Sequence, residues 1–295
     1  MSKLILLIGS NGQLGKELQQ ILPYYGDIIS VERPTVDLAQ PDTLRNVIRS
    51  KQPQIIINAA AYTAVDKAES EPELATAINA IAPLIIAQES QKLGAFLIHI
   101  STDYVFDGNW YRPYQETDAT NPLSIYGKTK LAGEEAIQET CVHHLILRTA
   151  WVYGTYGKSN FVKTMLRLGA ERQEIRVVAD QIGSPTWAQD IATVIAQLIP
   201  QLTPEVSGRC HYTNSGIASW YDFAVAIFEE AQQLGFPLKV ERIVPITTAE
   251  YPTPARRPAY SVLACEKISA ILETHPPHWR QRLRQMLRDL KIEHG

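Results

Sequence analysis

The chain has 295 residues, 45% of them hydrophobic and 20% charged, with a formal net charge of −3, a composition suited to a soluble globular protein of one large or two modest domains. No basic block marks a nucleic-acid or membrane-surface binder, and no apolar run approaches the length of a membrane span. Three scattered cysteines, Cys141, Cys210 and Cys265, argue against a disulfide framework or a zinc site and for reduced thiols in a cytosolic protein.

Leu4–Ile8 predicts a buried parallel strand, too short for the core of a signal peptide. Gly9-Ser10-Asn11-Gly12-Gln13-Leu14-Gly15 follows at once, and Leu14, Leu18, Ile21 and Leu22 then repeat at helical spacing. Strand, glycine-rich turn and helix in that order are the context of a dinucleotide fingerprint. Gly9 permits the tight turn, Gly12 lets the backbone approach a pyrophosphate, and Gly15 lets helix and strand pack closely. The free amides and dipole of the helix N-terminus face the phosphates. A second apolar run, Ile28–Val31, ends at Glu32, placed to accept hydrogen bonds from an adenosine ribose and so to favour NADH. Arg33 beside it would instead meet the 2′-phosphate of NADPH, so the cofactor is NADH or NADPH.

Asp37 is placed to reach an adenine amino group or to serve the turn before a helix that starts near Pro41 or Asp42. Ile55–Ile57 predicts a third strand, and the small residues of Asn58-Ala59-Ala60-Ala61-Tyr62-Thr63 at its end leave room for a ligand, where open parallel sheets bind. Glu71–Leu93 predicts one long helix and Ala95–Ile100 a fourth strand. The alternation implies a doubly wound, Rossmann-type α/β fold with a mostly parallel sheet.

Past the fourth strand, Thr102 and Asp103 precede an aromatic, proline-containing loop, 107–121, which reads as a lid or wall. Ser124 is placed to cap the next helix. Tyr126 and Lys130 are four residues apart and share one face of that helix. A phenol beside a fixed ammonium is a general-acid arrangement, because the cation pulls the phenol pKa down, and the Thr102 hydroxyl could share a substrate oxygen with it. His143–Leu147 predicts another strand, followed by Trp151, which reads as a sugar platform or as core.

The second half departs from the alternation. Asn160–Leu168 and Trp220–Leu234 predict helices, Asp180–Trp187 a turn-rich loop, and His211–Thr213 a short strand. Asp190–Ile199 predicts a helix that returns to the sheet. Arg280, Arg282, Arg284 and Arg288 lie on the solvated face of a helix whose apolar stripe is Leu283, Leu287 and Leu290. Tyr251–Pro258 is a proline-stiffened loop carrying Arg256 and Arg257. Arginines clamp phosphates bidentately, so this loop is a candidate for a substrate diphosphate; the alternative is a surface pair. The division expected is a dinucleotide-binding domain over 1–152 and a smaller, mainly substrate-binding α/β region over 153–295.

Taken together, the glycine loop, Thr102 and Tyr126-x-x-x-Lys130 resemble the extended short-chain dehydrogenase/reductase superfamily. The longer strings Asn58–Glu69, Ser101–Phe106, Tyr126–Glu134 and Pro252–Pro258 resemble, more narrowly, the dTDP-4-dehydrorhamnose reductase family, over nearly the whole chain. The resemblance implies that Tyr126 protonates the C4 oxygen of a dTDP-sugar while NAD(P)H gives hydride to C4. Lys130 would hold the nicotinamide ribose and lower the Tyr126 pKa, and Thr102 would bond the reacting oxygen. It further implies Gly12, Gln13 and Leu14 at the pyrophosphate, Glu32 at the ribose, Asp37 and Leu38 at the adenine, and Ala61, Tyr62 and Thr63 along the cofactor. Thr102, Asp103 and Trp151 would touch the sugar nucleotide. A homodimer is compatible with it. In some relatives a metal bridges the dimer through acidic side chains; Gln189 stands before Asp190 where a carboxylate pair belongs, so no metal is expected. The two rivals are another enzyme of the superfamily, a sugar-nucleotide dehydratase or epimerase, and a non-catalytic NADP-binding regulatory subunit. Dehydratases of the superfamily carry Asp-Glu after the threonine, where this chain has Asp103-Tyr104. A non-catalytic NADP-binding regulatory subunit is disfavoured by the presence of Thr102, Tyr126 and Lys130 together.

Overall fold

The structure, a computed structural model, describes residues 3–33 and 35–294, with side chains as far as 292. Five strands lie in the first half: β1 (Lys3–Ile8), β2 (Gly26–Val31), β3 (Ile55–Asn58), β4 (Phe96–Thr102) and β5 (His144–Thr149). The main helices there are α1 (Gln13–Ile21), α2 (Pro41–Lys51), α3 (Ala82–Leu93) and α4 (Ile125–Thr140). In the second half are α5 (Phe161–Glu171), β6 (Glu174–Val178), α6 (Ala188–Leu198), β7 (Gly208–His211), α7 (Trp220–Gln233), β8 (Arg242–Ile246) and α8 (Trp279–His294).

Six strands form one sheet in the order β7-β5-β4-β3-β1-β2, and every pairing is parallel. The chain leaves β1 toward β2 and then returns to the other side of β1 for β3, so the strand order reverses at the carboxyl ends of β1 and β3, where open sheets bind ligands. Alternate side chains serve the two faces. Ile5, Leu7, Ile57 and Leu147 pack with Leu14 and Leu18 of α1 and Ile191 and Ile195 of α6. Leu6, Ile8, Ile56 and Ile146 pack with Leu44 and Ile48 of α2, Ile86 of α3 and Ile137 of α4. Each such side chain contributes about 1.5–3 kcal/mol relative to exposure. That both faces are buried explains why these strands read as continuous apolar runs.

Two expectations need correction. The long helix of 71–93 is interrupted by a π turn at Ala77–Ile81. Pro83 has no N–H to give the carbonyl of Asn79, four residues earlier. That freed oxygen lies against Gly133 of α4, where a Cβ would approach it to 2.2 Å. The strand expected at 211–213 lies at Gly208–His211, paired with Leu145–Arg148. It is an edge strand with little apolar pattern of its own, and its register is set by β5. A separate apolar cluster holds the second half together: Val162 and Met165 of α5, Ile175 and Val177 of β6, Phe223 and Ile227 of α7, and Leu283 and Leu287 of α8. β6 and β8 form their own parallel pair. Among the described residues no helix is long and apolar enough to cross a membrane.

Candidate active site

The glycine loop is packed to the limit of its backbone. Gly9 has φ +86°, and a Cβ there would meet Ala60 at 2.8 Å; one on Gly15 would meet the Gly9 carbonyl at 2.1 Å. The loop thereby turns the N-terminus of α1, with Gly12 as its cap, toward the switch point. The amides of Gln13 and Leu14 fall in that first turn, where the helix supplies no partner. The Gln13 side chain accepts from Asn160, and the Leu14 side chain is core.

Beside the loop lies a cavity of about 470 Å³, lined among others by Gly9, Glu32, Arg33, Leu38, Ala61, Tyr62 and Thr63. Glu32 is exposed at its rim. Asp37 serves the turn: its carboxylate accepts the Ala39 N–H at 3.0 Å and faces Arg33 at 3.4 Å. Tyr62 donates to Glu71 at 2.7 Å, and Lys67 pairs with the same carboxylate at 2.8 Å.

At the end of β4, Thr102 caps a short 3₁₀ turn, Asp103–Val105. Its hydroxyl accepts the Tyr104 N–H at 3.2 Å and donates to the Asp103 carboxylate at 3.0 Å. Ser124 caps α4 by accepting the Gly127 N–H at 3.2 Å. Gly127 then lies directly on the Tyr104 carbonyl, where a Cβ would come to 2.3 Å. This contact delivers Tyr126 to Thr102. The Tyr126 ring meets Tyr104 edge-on, with centroids 5.6 Å apart. Burial pushes the Tyr126 phenol up to about 12; the Thr102 hydroxyl opposes this and the Asp103 carboxylate adds to it. Lys130, expected to lower the phenol, is turned to the Ile100 carbonyl at 2.6 Å and to His99 at 3.2 Å. Burial lowers its ammonium to about 8, against the pull of Glu134 one turn on. Asp103 is 2% exposed; burial raises it to about 6, opposed by hydrogen bonds from Ser261 and Thr102.

The aromatic loop is folded down as a wall. Tyr114 is fully buried, stacks on Phe106 at 4.1 Å and donates to Asp107 at 3.0 Å. Trp151 has φ +48°, a strained conformation for a bulky residue, and stacks on Trp220 at 3.5 Å with planes 4° apart. Gly183 makes the room for it. The two arginines of the proline loop have different fates. Arg257 grips Asp66 and also bonds Thr253 and Tyr104. Arg256 is exposed, and no carboxylate among the described residues pairs with it. Asp190 is taken up by Asn214 at 2.7 Å and Arg282 at 3.1 Å.

The structure therefore brings Thr102, Asp103, Tyr126 and Lys130 together at the carboxyl end of the sheet and keeps Glu32, Leu38, Ala61, Tyr62 and Thr63 around the neighbouring cavity. Ser261, Tyr104, Asp66 and His99 join the site although sequence reasoning assigns none of them a role there. Asp66 and Tyr104 lie within strings that did stand out, Asn58–Glu69 and Ser101–Phe106, and Ser261 lies just past Pro252–Pro258; His99 gave no signal of its own.

A doubly wound parallel sheet, a glycine cradle at its switch point and a threonine, tyrosine and lysine beside it define an extended short-chain dehydrogenase/reductase, an NAD(P)H-dependent oxidoreductase. The family model described as RmlD substrate binding domain matches residues 2–292. The chain belongs to that family, and several of its curated relatives are named dTDP-4-dehydrorhamnose reductase. It is 47% identical to the dTDP-4-dehydrorhamnose reductase of Escherichia coli K12, with 97% of each chain covered. A crystal structure of dTDP-4-dehydrorhamnose reductase from Bacillus anthracis in complex with NADP superposes with a TM-score of 0.91 at 41% identity, covering 98% of this chain and all of that one. A crystal structure of a dTDP-4-dehydrorhamnose reductase from Clostridium acetobutylicum gives 0.90 at 40% identity, with 98% and 99% covered.

Proposed function

We propose that the chain reduces the 4-keto group of dTDP-4-dehydro-L-rhamnose to give dTDP-L-rhamnose, with NADH or NADPH as reductant, in nucleotide-sugar synthesis for cell-surface polysaccharide. The observation that carries this reading is the meeting of Thr102 and Tyr126, with Lys130 one helical turn on, beside a glycine cradle with no room for a Cβ at Gly9 or Gly15. That cradle and its cavity fit a dinucleotide. Gly9, Gly12, Gln13, Leu14 and Gly15 would take the pyrophosphate, Glu32 the adenosine ribose, Leu38 and the segment 61–63 the adenine side, and Lys130 the nicotinamide ribose. The bound cofactor supplies hydride for the sugar C4.

The remaining chemistry belongs to the protein. The ketone oxygen gains negative charge as C4 is reduced, and Tyr126 gives it a proton. A neutral phenol is the form that can do so, and burial keeps it neutral. Thr102 holds the same oxygen and orients the phenol. Proton donation of this kind contributes about 100- to 10,000-fold. Asp103 and Trp151 would border the sugar, and Arg256 would meet the diphosphate. The segment 153–295, apart from α6 and β7, supplies the sugar-nucleotide side, and 1–152 the dinucleotide side. The three cysteines have no disulfide among the described residues, in keeping with a cytoplasmic enzyme; a homodimer is the assembly we favour. The test is oxidation of NADH or NADPH by the purified protein, followed by loss of nicotinamide absorbance when the 4-keto sugar nucleotide is added. Oxidation that depends on that substrate supports the reading; no oxidation with either cofactor contradicts it.

A further inference from the structure

Three buried side chains behind the phenol form a line of which the reaction, as described, uses only the lysine. Asn58 at the end of β3, His99 on β4 and Lys130 on α4 are each 1% exposed. His99 Nδ1 lies 3.0 Å from Asn58 Nδ2, and His99 Nε2 lies 3.2 Å from Lys130 Nζ. The backbone orients the amide, because Asn58 Oδ1 accepts the Ala60 N–H at 3.2 Å. Only the amide nitrogen, a donor, is left to face the ring, so Nδ1 must accept. A neutral imidazole with a bare Nδ1 carries its proton on Nε2. That N–H points at Lys130. An ammonium has donors only and would set one donor against another; an uncharged amine accepts.

We propose that His99 is a positioning residue for Lys130: Asn58 locks its tautomer, and the Nε2–H so presented holds the lysine and favours its amine form. The inference rests on the reading of Lys130 as part of the catalytic set. Burial keeps His99 neutral, with its pKa far below the ordinary value, and the nearby lysine adds to this. The charged group that acts on Lys130 is Glu134, one turn on along its own helix. The Glu134 carboxylate is engaged by Arg148 at 2.6 Å and by Ser101 at 2.5 Å, which limits its pull on the ammonium. Cofactor hydroxyls reaching Nζ as acceptors would favour the ammonium, so binding should take up a proton at mildly alkaline pH.

The lock is read directly by nitrogen NMR on histidine-labelled full-length protein, free of ligand. The expected result is a bare Nδ1 and a protonated Nε2 at His99, unchanged through neutral pH. A proton on Nδ1, or an imidazolium, overturns the proposal. Asn58→Asp replaces the donor with an acceptor, draws the proton to Nδ1 and frees Nε2 to accept from an ammonium. His99→Gln can turn its carbonyl to the lysine with the same effect. Both should move the alkaline limb of kcat/KM upward by about one pH unit, a tenfold change at the alkaline end, which a merely structural role would not do. An unmoved limb in folded, active variants also overturns it. The tautomer is measured without turnover, so it is decided apart from the catalytic reading of Lys130, which the turnover of Lys130→Met decides.

Discussion

The Arg257 guanidinium closes on the Asp66 carboxylate at 2.7 Å and 3.1 Å, joining the proline-stiffened loop to the turn after β3. The Ala255 N–H adds a third bond to the same carboxylate at 3.2 Å. The side chains are 21% and 40% exposed, so water and salt weaken the pair, and its main effect is on loop geometry. With Arg257 spent on this latch, the exposed Arg256 is the cation of this loop that remains for the diphosphate contact proposed above.

Arg256→Ala should therefore weaken nucleotide-diphosphate binding and leave NADH binding unchanged. Loss of a hydrogen bond to a charged group costs about 1.5–3 kcal/mol, roughly tenfold or more in affinity, and the loss should shrink as salt is raised. Calorimetric titration at low and moderate ionic strength measures it. Arg257→Ala should weaken binding through the loop and also make that loop more open to proteolysis. Equal affinity in wild type and Arg256→Ala would place the diphosphate elsewhere.

Glu32 and Arg33 stand together at the cavity rim, and Arg33 faces Asp37. A carboxylate at the ribose opposes a 2′-phosphate. Glu32→Ala should thus shift the ratio of kcat/KM values toward NADPH, and Arg33→Ala should shift it toward NADH. Comparing the two cofactors in each variant is sufficient, and an unchanged ratio in Glu32→Ala would show that this side chain does not reach the ribose.

Asp103 gives a pH dependence of stability. Its pKa in the fold is raised to about 6 from 3.8, mainly by burial. The stability it contributes is fully present below the unfolded value and is lost as pH rises through about 6. A two-unit shift corresponds to roughly 3 kcal/mol. Asp103→Asn should remove this decline, raising the melting temperature at neutral pH relative to wild type while reducing turnover. Parallel melting curves of the two proteins across acid to neutral pH would expose an error in sign.

The sheet was legible because its central strands are buried on both faces and so are written as unbroken apolar runs, Leu4–Ile8 and Ile55–Ile57 among them. The glycine loop and the tyrosine–lysine pair were legible because each depends on spacing within one turn or one helix. What stayed hidden depends on chain segments far apart in sequence. The strand β7 owes its register to β5, the π turn to a proline and a glycine on different helices, and the different roles of Arg256 and Arg257 to an aspartate 191 residues away from Arg257. His99 looked like one more residue of a buried strand, because neither of its partners is on that strand.

The most direct test of the whole account is the turnover of Tyr126→Phe, measured beside its NADH affinity. Only the phenolic hydroxyl is lost, while Thr102, Lys130 and the glycine cradle remain. The account predicts a fall in kcat of about 100- to 10,000-fold with cofactor binding unchanged. A kcat close to that of the wild type would contradict it, because the proton for the sugar oxygen would then come from another group.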